Sequence, residues 1–304
     1  MKRFDVVGFG ALNVDKLFKV NKIVAAEEEG FIHTCVETCG GSAANTTVGL
    51  ARFGCKVGFI GKIGGDKEGD VLIKSFCKEG VDVNGIVRTE HGRSGSVLGF
   101  VDKDGARALY IDSGVNDTIK LADVDEAYVS QARFLHLTSF VGEMSFQTQK
   151  KLLAVLPESV KISFDPGMLY AQRGLSQLET IVKKTDVMMP NFVELKLLTG
   201  KTDYCTGADS LIGKGAKIVA VKLGGEGCYV TDGREQHLID AFKVKVVDTT
   251  GAGDAFCTGF LYGILNDKNL FECGRLGNFV ASRCAMKMGA RTGLPYTEDL
   301  ASLN

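Results

Sequence analysis

The chain has 304 residues, of which 45% are hydrophobic and 24% charged, with a formal net charge of −1. Those figures fit a globular protein in solution with a sizeable core, either one large α/β domain or two smaller ones, and give no electrostatic basis for binding nucleic acid. Lys2-Arg3 runs straight into Phe4-Asp5-Val6-Val7-Gly8, too short and interrupted for a signal peptide, and no apolar run nears membrane-spanning length, so a cytoplasmic location without membrane partners is expected.

Phe4 to Gly8 is a short apolar run closed by Gly8-Phe9-Gly10, the pattern of a buried parallel strand. Gly8-x-Gly10-x-x-Asn13 lies one residue from the dinucleotide fingerprint and raises an NAD-dependent oxidoreductase as an alternative. That fingerprint needs a small third residue opening a helix, whereas Asn13-Val14-Asp15-Lys16-Leu17-Phe18 alternates like a strand. On an extended segment Asn13 and Asp15 face the same side; two polar groups just past a strand end either bind hydroxyls or are simply solvated. His33-x-Cys35-x3-Cys39 has no second Cys/His pair to complete a zinc site, and nine cysteines, an odd number, suit free thiols in a reducing compartment. Cys39-Gly40-Gly41-Ser42-Ala43-Ala44-Asn45 then leads into an amphipathic helix, Thr46 to Phe53, through a glycine-rich turn.

Val57 to Gly61 reads as a strand and Asp66 to Lys78 as a helix. Val97 to Val101 and Arg107 to Ile111 are extended runs joined by the hairpin signature Asp102-Lys103-Asp104-Gly105; with residues 16–37 they predict a small sheet apart from the main one. The chain then alternates: strand Phe134 to Leu137, helix Phe146 to Leu156, strand Ile162 to Asp165, helix Leu175 to Lys183, strand Val187 to Met189. Such alternation predicts a parallel sheet wrapped by helices, with ligands at the C-terminal strand ends, here carrying Ser139, Asp165 and Asn191. Asn191 and Glu194, at i and i+3 of a helix start, either hold a hydrated magnesium or form a capping box. Ile218 to Val230 reads as strand, glycine turn, strand, the glycines leaving room for a flat base or serving only the turn. Leu276 to Met288 is a further helix.

Val246-Val247 ends an extended run, and Asp248-Thr249-Thr250-Gly251-Ala252-Gly253-Asp254 leads into an apolar helical pattern. A helix N-terminus gathers unpaired N–H groups and the positive end of the dipole, and glycines let an anion approach the main chain. A carboxylate repels anions, so Asp254 needs a second role, that of taking a proton from a hydroxyl while the N–H groups stabilise a transferring phosphoryl group. The plainer alternative is an acidic residue at a helix start.

Gly40-Gly41-Ser42-Ala43-Ala44-Asn45 and Asp248-Thr249-Thr250-Gly251-Ala252-Gly253-Asp254 together resemble the two signatures of the ribokinase-like (PfkB) carbohydrate kinase family, and agreement runs in order over nearly the whole chain. The resemblance implies one doubly wound α/β domain over residues 1–304, its mostly parallel sheet flanked by helices, with a small β-sheet lid from segments of about 14–38 and 95–113. It implies ATP-dependent phosphorylation, with magnesium, of a hydroxyl of a pentose, ketohexose or ribonucleoside. The anion hole falls on Gly251, Ala252 and Gly253 and the catalytic base on Asp254. Sugar contacts fall on Asn13, Asp15, Gly40, Gly41, Asn45 and Glu143. Nucleotide contacts fall on Asn191, Glu194, Lys222, Gly224, Gly227 and Asn278, with Glu194 acting on magnesium indirectly. A potassium-like cation falls to Asp248, Thr250, Cys284, Lys287 and Gly289, the last three through backbone carbonyls.

Two departures from the family pattern stand out. Gly293 occupies a position often held by serine beside the cation, and Ser42 one where ribokinases proper often carry lysine, which weakens the case for free ribose. An acidic sugar would want a dedicated arginine, for which Arg107 in the hairpin is the candidate; the plainer reading, favoured here, is a solvated hairpin residue, as most exposed arginines are. Uncapped lid strands can pair between two chains, so a homodimer is expected. A non-catalytic sugar-binding protein of the same fold is the other alternative, against which Asp254 argues.

Overall fold

The computed structural model describes residues 2–103 and 107–303. Its strands, in chain order, are β1 (Phe4–Phe9), β2 (Asn13–Val20), β3 (Ile32–Gly40), β4 (Val57–Gly64), β5 (Ile86–Thr89), β6 (Gly95–Val101), β7 (Arg107–Asp112), β8 (Ala132–Thr138), β9 (Lys161–Asp165), β10 (Val187–Met188), β11 (Ile218–Lys222), β12 (Cys228–Thr231) and β13 (Gln236–Ile239). Nine form one sheet in the order β13-β12-β11-β10-β9-β8-β1-β4-β5, and the other four a small sheet in the order β3-β2-β6-β7. Pairing in the large sheet is parallel from β11 to β5 and antiparallel where β12 and β13 close one edge.

Parallel strands joined by crossover helices are covered on both faces and must be apolar on both. Successive residues of β1 therefore enter different cores. Val6 packs with Phe59, Phe134 and Phe260 on one face, and Val7 with Leu135, Phe146 and Ile162 on the other. Helices Ser42–Arg52, Ala252–Leu265 and Leu270–Ala285 cover the first face; Glu143–Val155, Leu175–Lys184 and Tyr204–Gly213 cover the second. This is the α/β doubly wound class expected from the strand and helix alternation, with the small sheet formed as a separate layer.

Two local expectations change. Val246-Val247 does not end a strand: no strand is assigned between β13 and the helix at Ala252, and both valines are exposed. The N–H groups of Val247 and Asp248 instead donate to the Ala285 carbonyl, at 2.8 and 3.2 Å, so a helix end supplies the acceptor that a neighbouring strand would have given. The Gly8-x-Gly10 turn joins β1 to β2 with no helix between them, so it lacks the helix N-terminus that a dinucleotide pyrophosphate requires. Asp104, Gly105 and Ala106, in the expected hairpin turn, lie outside the described residues, as does the Arg107 side chain.

Helices Ala252–Leu265 and Leu270–Ala285 cross closely because glycines line the crossing. A Cβ at Gly259 would lie 2.7 Å from the Leu276 carbonyl carbon and 2.9 Å from the Gly277 Cα. Helix propensity favours alanine over glycine by about 1 kcal/mol. Here backbone stands in the way, and overpacking costs about 1–3 kcal/mol. Gly259→Ala is therefore expected to lower the urea midpoint, and a midpoint at or above that of the parent chain would contradict this packing.

Candidate active site

The helix Ala252–Leu265 starts at Gly251, whose φ of 77° is left-handed and whose missing side chain lets Ala290 pack against it. Helix Ser42–Arg52 starts at Gly41, also left-handed, with φ of 105°. The two helix starts face one another and are stitched together. Asn45 Nδ2 donates to Asp254 Oδ2 at 2.8 Å, and the Thr46 and Thr258 hydroxyls donate to the Asp254 carbonyl at 3.2 and 3.0 Å. The sequence pattern that placed Gly251 to Asp254 at a helix N-terminus is realised, and the N–H groups of its first turn have no acceptor within the helix.

Burial raises the Asp254 carboxyl to about 7; the Asn45 hydrogen bond opposes the rise and the charge of Asp165 adds to it. A carboxyl so placed exchanges a proton near neutrality, as a general base should.

Asp254 lies where two cavities meet. The larger, of about 530 Å³, is lined by Asp165, Asn191, Glu194, Lys222, Gly224, Gly227, Ala252 and Asn278 among others; the smaller, of about 350 Å³, by Asn13, Asp15, Gly41, Asn45, Asn116, Asp117, Thr250 and Gly251 among others. Ser42, Ser139, Gly253 and Asp254 line both.

In the larger cavity Lys222 Nζ donates to Asp165 Oδ2 at 2.6 Å. Burial alone would lower the Lys222 ammonium, but the charge of Asp165, the smaller contributions of Cys257 and Glu194 and the Asp165 hydrogen bond together outweigh it and hold the group above its usual range. A Cβ at Gly253 would stand 3.4 Å from Lys222 Nζ, so this ammonium abuts the helix start. Asn191 and Glu194 form the capping box: Glu194 N donates to Asn191 Oδ1 at 2.9 Å, while Asn191 N and Nδ2 donate to the two Glu194 carboxylate oxygens at 2.8 and 2.7 Å. Burial, and then the charge of Asp165, raises Glu194 to about 7. Asn278 spends its amide protons on the Ile239 and Asp240 carbonyls, at 2.9 and 3.1 Å, and so braces the wall. Gly227, with φ of 98° and no room for a Cβ against Ile239, serves the turn; at Gly224 and Gly225 a Cβ would meet nothing.

In the smaller cavity Asn13 and Asp15 lie on one side of β2, as their spacing requires. Asn116 Nδ2 donates to Asn13 Oδ1 at 3.0 Å and to the Leu12 carbonyl at 2.9 Å, and Asn116 Oδ1 accepts from Leu12 N at 2.9 Å. Burial raises Asp15 to about 6 against the opposing charge of Arg291, and its Oδ1 is buried with no partner. A side chain at Gly40 would collide with that carboxylate. Glu143 departs from expectation: it is not among the lining residues but is exposed at the first turn of its helix, ion-paired to Arg173 and bonded to Gln147. Asp117 takes the place on the cavity wall, its Oδ1 accepting from Gly142 N at 2.7 Å.

The residues proposed for a monovalent cation gather beside the helix start. Asp248 accepts from Thr250 N at 2.9 Å and Gly289 N at 2.8 Å, the Cys284 thiol reaches the Thr250 carbonyl at 3.6 Å, and Lys287 N donates to the Cys284 carbonyl at 3.2 Å. Gly293 fits because a Cβ there would lie 2.6 Å from the Cys284 carbonyl oxygen, which leaves no space for the serine common in the family.

Two cavities sharing one titrating carboxylate, set on a doubly wound sheet with a small covering sheet, define a carbohydrate kinase. The chain belongs to the pfkB family of carbohydrate kinases, matched over residues 3–297. It is 46% identical over 252 residues to an uncharacterized sugar kinase of Archaeoglobus fulgidus, covering 83% of this chain and 100% of that one. It is 31% identical to the ATP-dependent ribose-1-phosphate kinase of Halopiger xanaduensis, over 98% of this chain and 97% of the relative. The crystal structure of ribokinase from Thermotoga maritima superposes with a TM-score of 0.87 at 27% identity, covering 99% of both chains.

The raised Asp254 carboxyl has a consequence for stability. Its folded value, about 7, lies above its ordinary 3.8, so between the two the native state holds a proton that the unfolded chain has lost. This group therefore weakens the fold as pH rises through about 7, and the penalty fades toward pH 4. Without ligand, Asp254→Asn is expected to melt higher than the parent at pH 8, by about 2–4 °C per kcal/mol relieved, and to lose most of that gain at pH 5. Equal melting temperatures at pH 8 would mean that the carboxyl is not held in a desolvated site.

Proposed function

We propose that the protein transfers a phosphoryl group from ATP directly to a hydroxyl of a pentose, ketohexose or ribonucleoside, with Asp254 as general base. The observation that carries this is the position of Asp254 on the shared wall of both cavities, beside the start of helix Ala252–Leu265. The larger cavity suits a nucleotide: a half-buried ammonium, Lys222, abuts the helix start, and the apolar residues Phe242 and Ala281 also line the cavity. Glu194 and Asp165, two buried carboxylates close enough for one to raise the other, fit a magnesium ion that keeps most of its waters. ATP with magnesium, when bound, supplies the electrophilic γ-phosphoryl group.

The chain's own residues do the rest. Asn13 and Asp15 accept hydrogen bonds from an acceptor's hydroxyls, Asn45 donates to Asp254, and Asp254 takes the proton of the attacking hydroxyl. Gly251, Ala252 and Gly253 are the proposed anion hole at the helix start, where the Ala252 N–H donates to the Thr249 carbonyl at 3.1 Å in this structure. Val97 of β6 and Ile111 of β7 line the acceptor cavity, so the small sheet acts as a lid that excludes water. Asp248 and Thr250, with the carbonyls of Cys284, Lys287 and Gly289, are the proposed potassium ligands.

The edges of the small sheet, β3 and β7, carry the exposed apolar residues Ile32, Val36, Leu109 and Tyr110, which suit a homodimer formed through the lid. The nine cysteines are all free thiols, in keeping with a cytoplasmic location, and among the described residues no helix is long and apolar enough to cross a membrane.

Asp254→Asn is expected to fold and bind ATP but to lose on the order of 10²-fold or more in turnover, measured as ADP release with a panel of pentoses, ketohexoses and ribonucleosides. Near-normal turnover would refute the assignment. Because the base works ionised, kcat/KM of the parent should climb with pH through about 7 and level off above it. Tyr110→Glu should shift a dimer to a monomer in light scattering; an unchanged mass would place any dimer contact elsewhere.

A further inference from the structure

Arg291 lines neither cavity, yet its guanidinium reaches the residue that holds the base. Its Nε donates to Asn45 Oδ1 at 2.7 Å, Nη1 to the Ser75 hydroxyl at 3.2 Å and Nη2 to the Gly40 carbonyl at 3.4 Å, and the guanidinium stands 5.6 Å from the centre of the Phe76 ring. The backbone beneath it is fixed as well: Arg52, paired through two hydrogen bonds with Glu79, donates to the Arg291 carbonyl at 2.8 Å. An irregular loop is thus clamped so that one side chain projects to one place.

Asn45 sits between that guanidinium and the Asp254 carboxylate, 2.8 Å from the latter. The two ends of an amide are nearly the same shape but opposite in hydrogen-bonding sense. A guanidinium only donates and an ionised carboxylate only accepts, so a single orientation satisfies both neighbours: oxygen toward Arg291, NH2 toward Asp254. Without Arg291, water can solvate either end of the amide on that side, and the donor to Asp254 is no longer guaranteed. Asp15, across Gly40, feels the same guanidinium charge.

We propose that Arg291 is a positioning residue for phosphoryl transfer: it locks the Asn45 amide so that the base always meets a donor, tying the loop after helix Leu270–Ala285 to both helix starts. The kinetic part rests on Asp254 being the base. Arg291→Met is expected to lower kcat about tenfold, less than the factor of about 10² or more for losing the base itself, with the KM for ATP within about twofold. In an Asn45→Ala background the same substitution should cost almost nothing more, because its route to the base is gone. Should Arg291→Met not fold, Arg291→Lys serves: lysine lacks the flat fork whose separate nitrogens reach Asn45, Ser75 and Gly40, and its coupling to Asn45→Ala is read in the same way. Equal losses in both backgrounds, or an unchanged kcat, would overturn the proposal.

A second readout needs no turnover. With asparagine-selective 15N labelling, the Asn45 side-chain NH2 signal is identified by its absence in Asn45→Ala. Removing Arg291 should move that signal and speed its exchange with solvent, and an unmoved signal would overturn the positioning role even if no acceptor were ever found. Conversely, a parent chain that releases no ADP with any acceptor while Arg291→Met moves the signal would sink the kinase assignment of Asp254 and leave the lock standing.

Discussion

The Asp254 carboxylate is half-buried between the first turns of two helices, with Asn45 as a side-chain hydrogen-bond donor at 2.8 Å. A hydrogen bond to a charged group is worth about 1.5–3 kcal/mol, and each unit of pKa about 1.4 kcal/mol. The carboxyl still rests near 7 after Asn45 has pulled it down, so desolvation is the larger effect. Stronger donors would drive the group back toward an ordinary aspartate and make it a weaker base; fewer would leave it protonated throughout the neutral range. The site holds an intermediate value, and it does so by geometry, because both helix starts must arrive at the same point.

They arrive there because of the order of strands. β1 lies between β8 on one side and β4 on the other, so the chain leaves β1's neighbourhood in opposite directions along the sheet, and a crevice opens at the C-terminal ends of the strands. Asp165 and Lys222, at the ends of β9 and β11, form the floor of the larger cavity, and β2, continuing past β1, carries Asn13 and Asp15 into the smaller. The close crossing at Gly259 brings the helix that carries Asp254 down on the face where helix Ser42–Arg52 also packs.

What was legible in the sequence is what local rules write. Apolar runs covered on both faces announced the parallel strands, two polar residues at period 2 announced that Asn13 and Asp15 share one side of β2, and glycines before an apolar helix announced the helix start at Gly251. What escaped lies in irregular backbone that meets its partner only after folding. Asn116 sits in a short 3-10 turn and bonds to Asn13, 103 residues away; Arg291 follows a helix end and bonds to Asn45, 246 residues away. Neither belongs to a periodic pattern, so nothing in its neighbours marks it. Glu143 failed for the converse reason, since a position in chain order says nothing about which way a first-turn side chain points, and Arg173 claims it.

Charge completes the case for what the two cavities accept. Among the described lining residues stand five carboxylates, Asp15, Asp117, Asp165, Glu194 and Asp254, against one cation, Lys222. Three of the five are pushed up by burial, so the molecule carries them at a cost in stability, as sites built for chemistry commonly do. A polyphosphate brought alone into the larger cavity would face Asp165 and Glu194 with only Lys222 and the helix start in its favour. A divalent cation would reverse that balance, the part proposed above for magnesium, with Glu194 acting on it indirectly. The smaller cavity has acceptors and no described cation on its wall, the balance that the neutral, hydroxyl-rich acceptor proposed above would meet. One acceptor on that wall, the Oδ1 of Asp15, is already out of water and without a partner. Among the described lining residues Asp254 is the one carboxyl that borders both cavities.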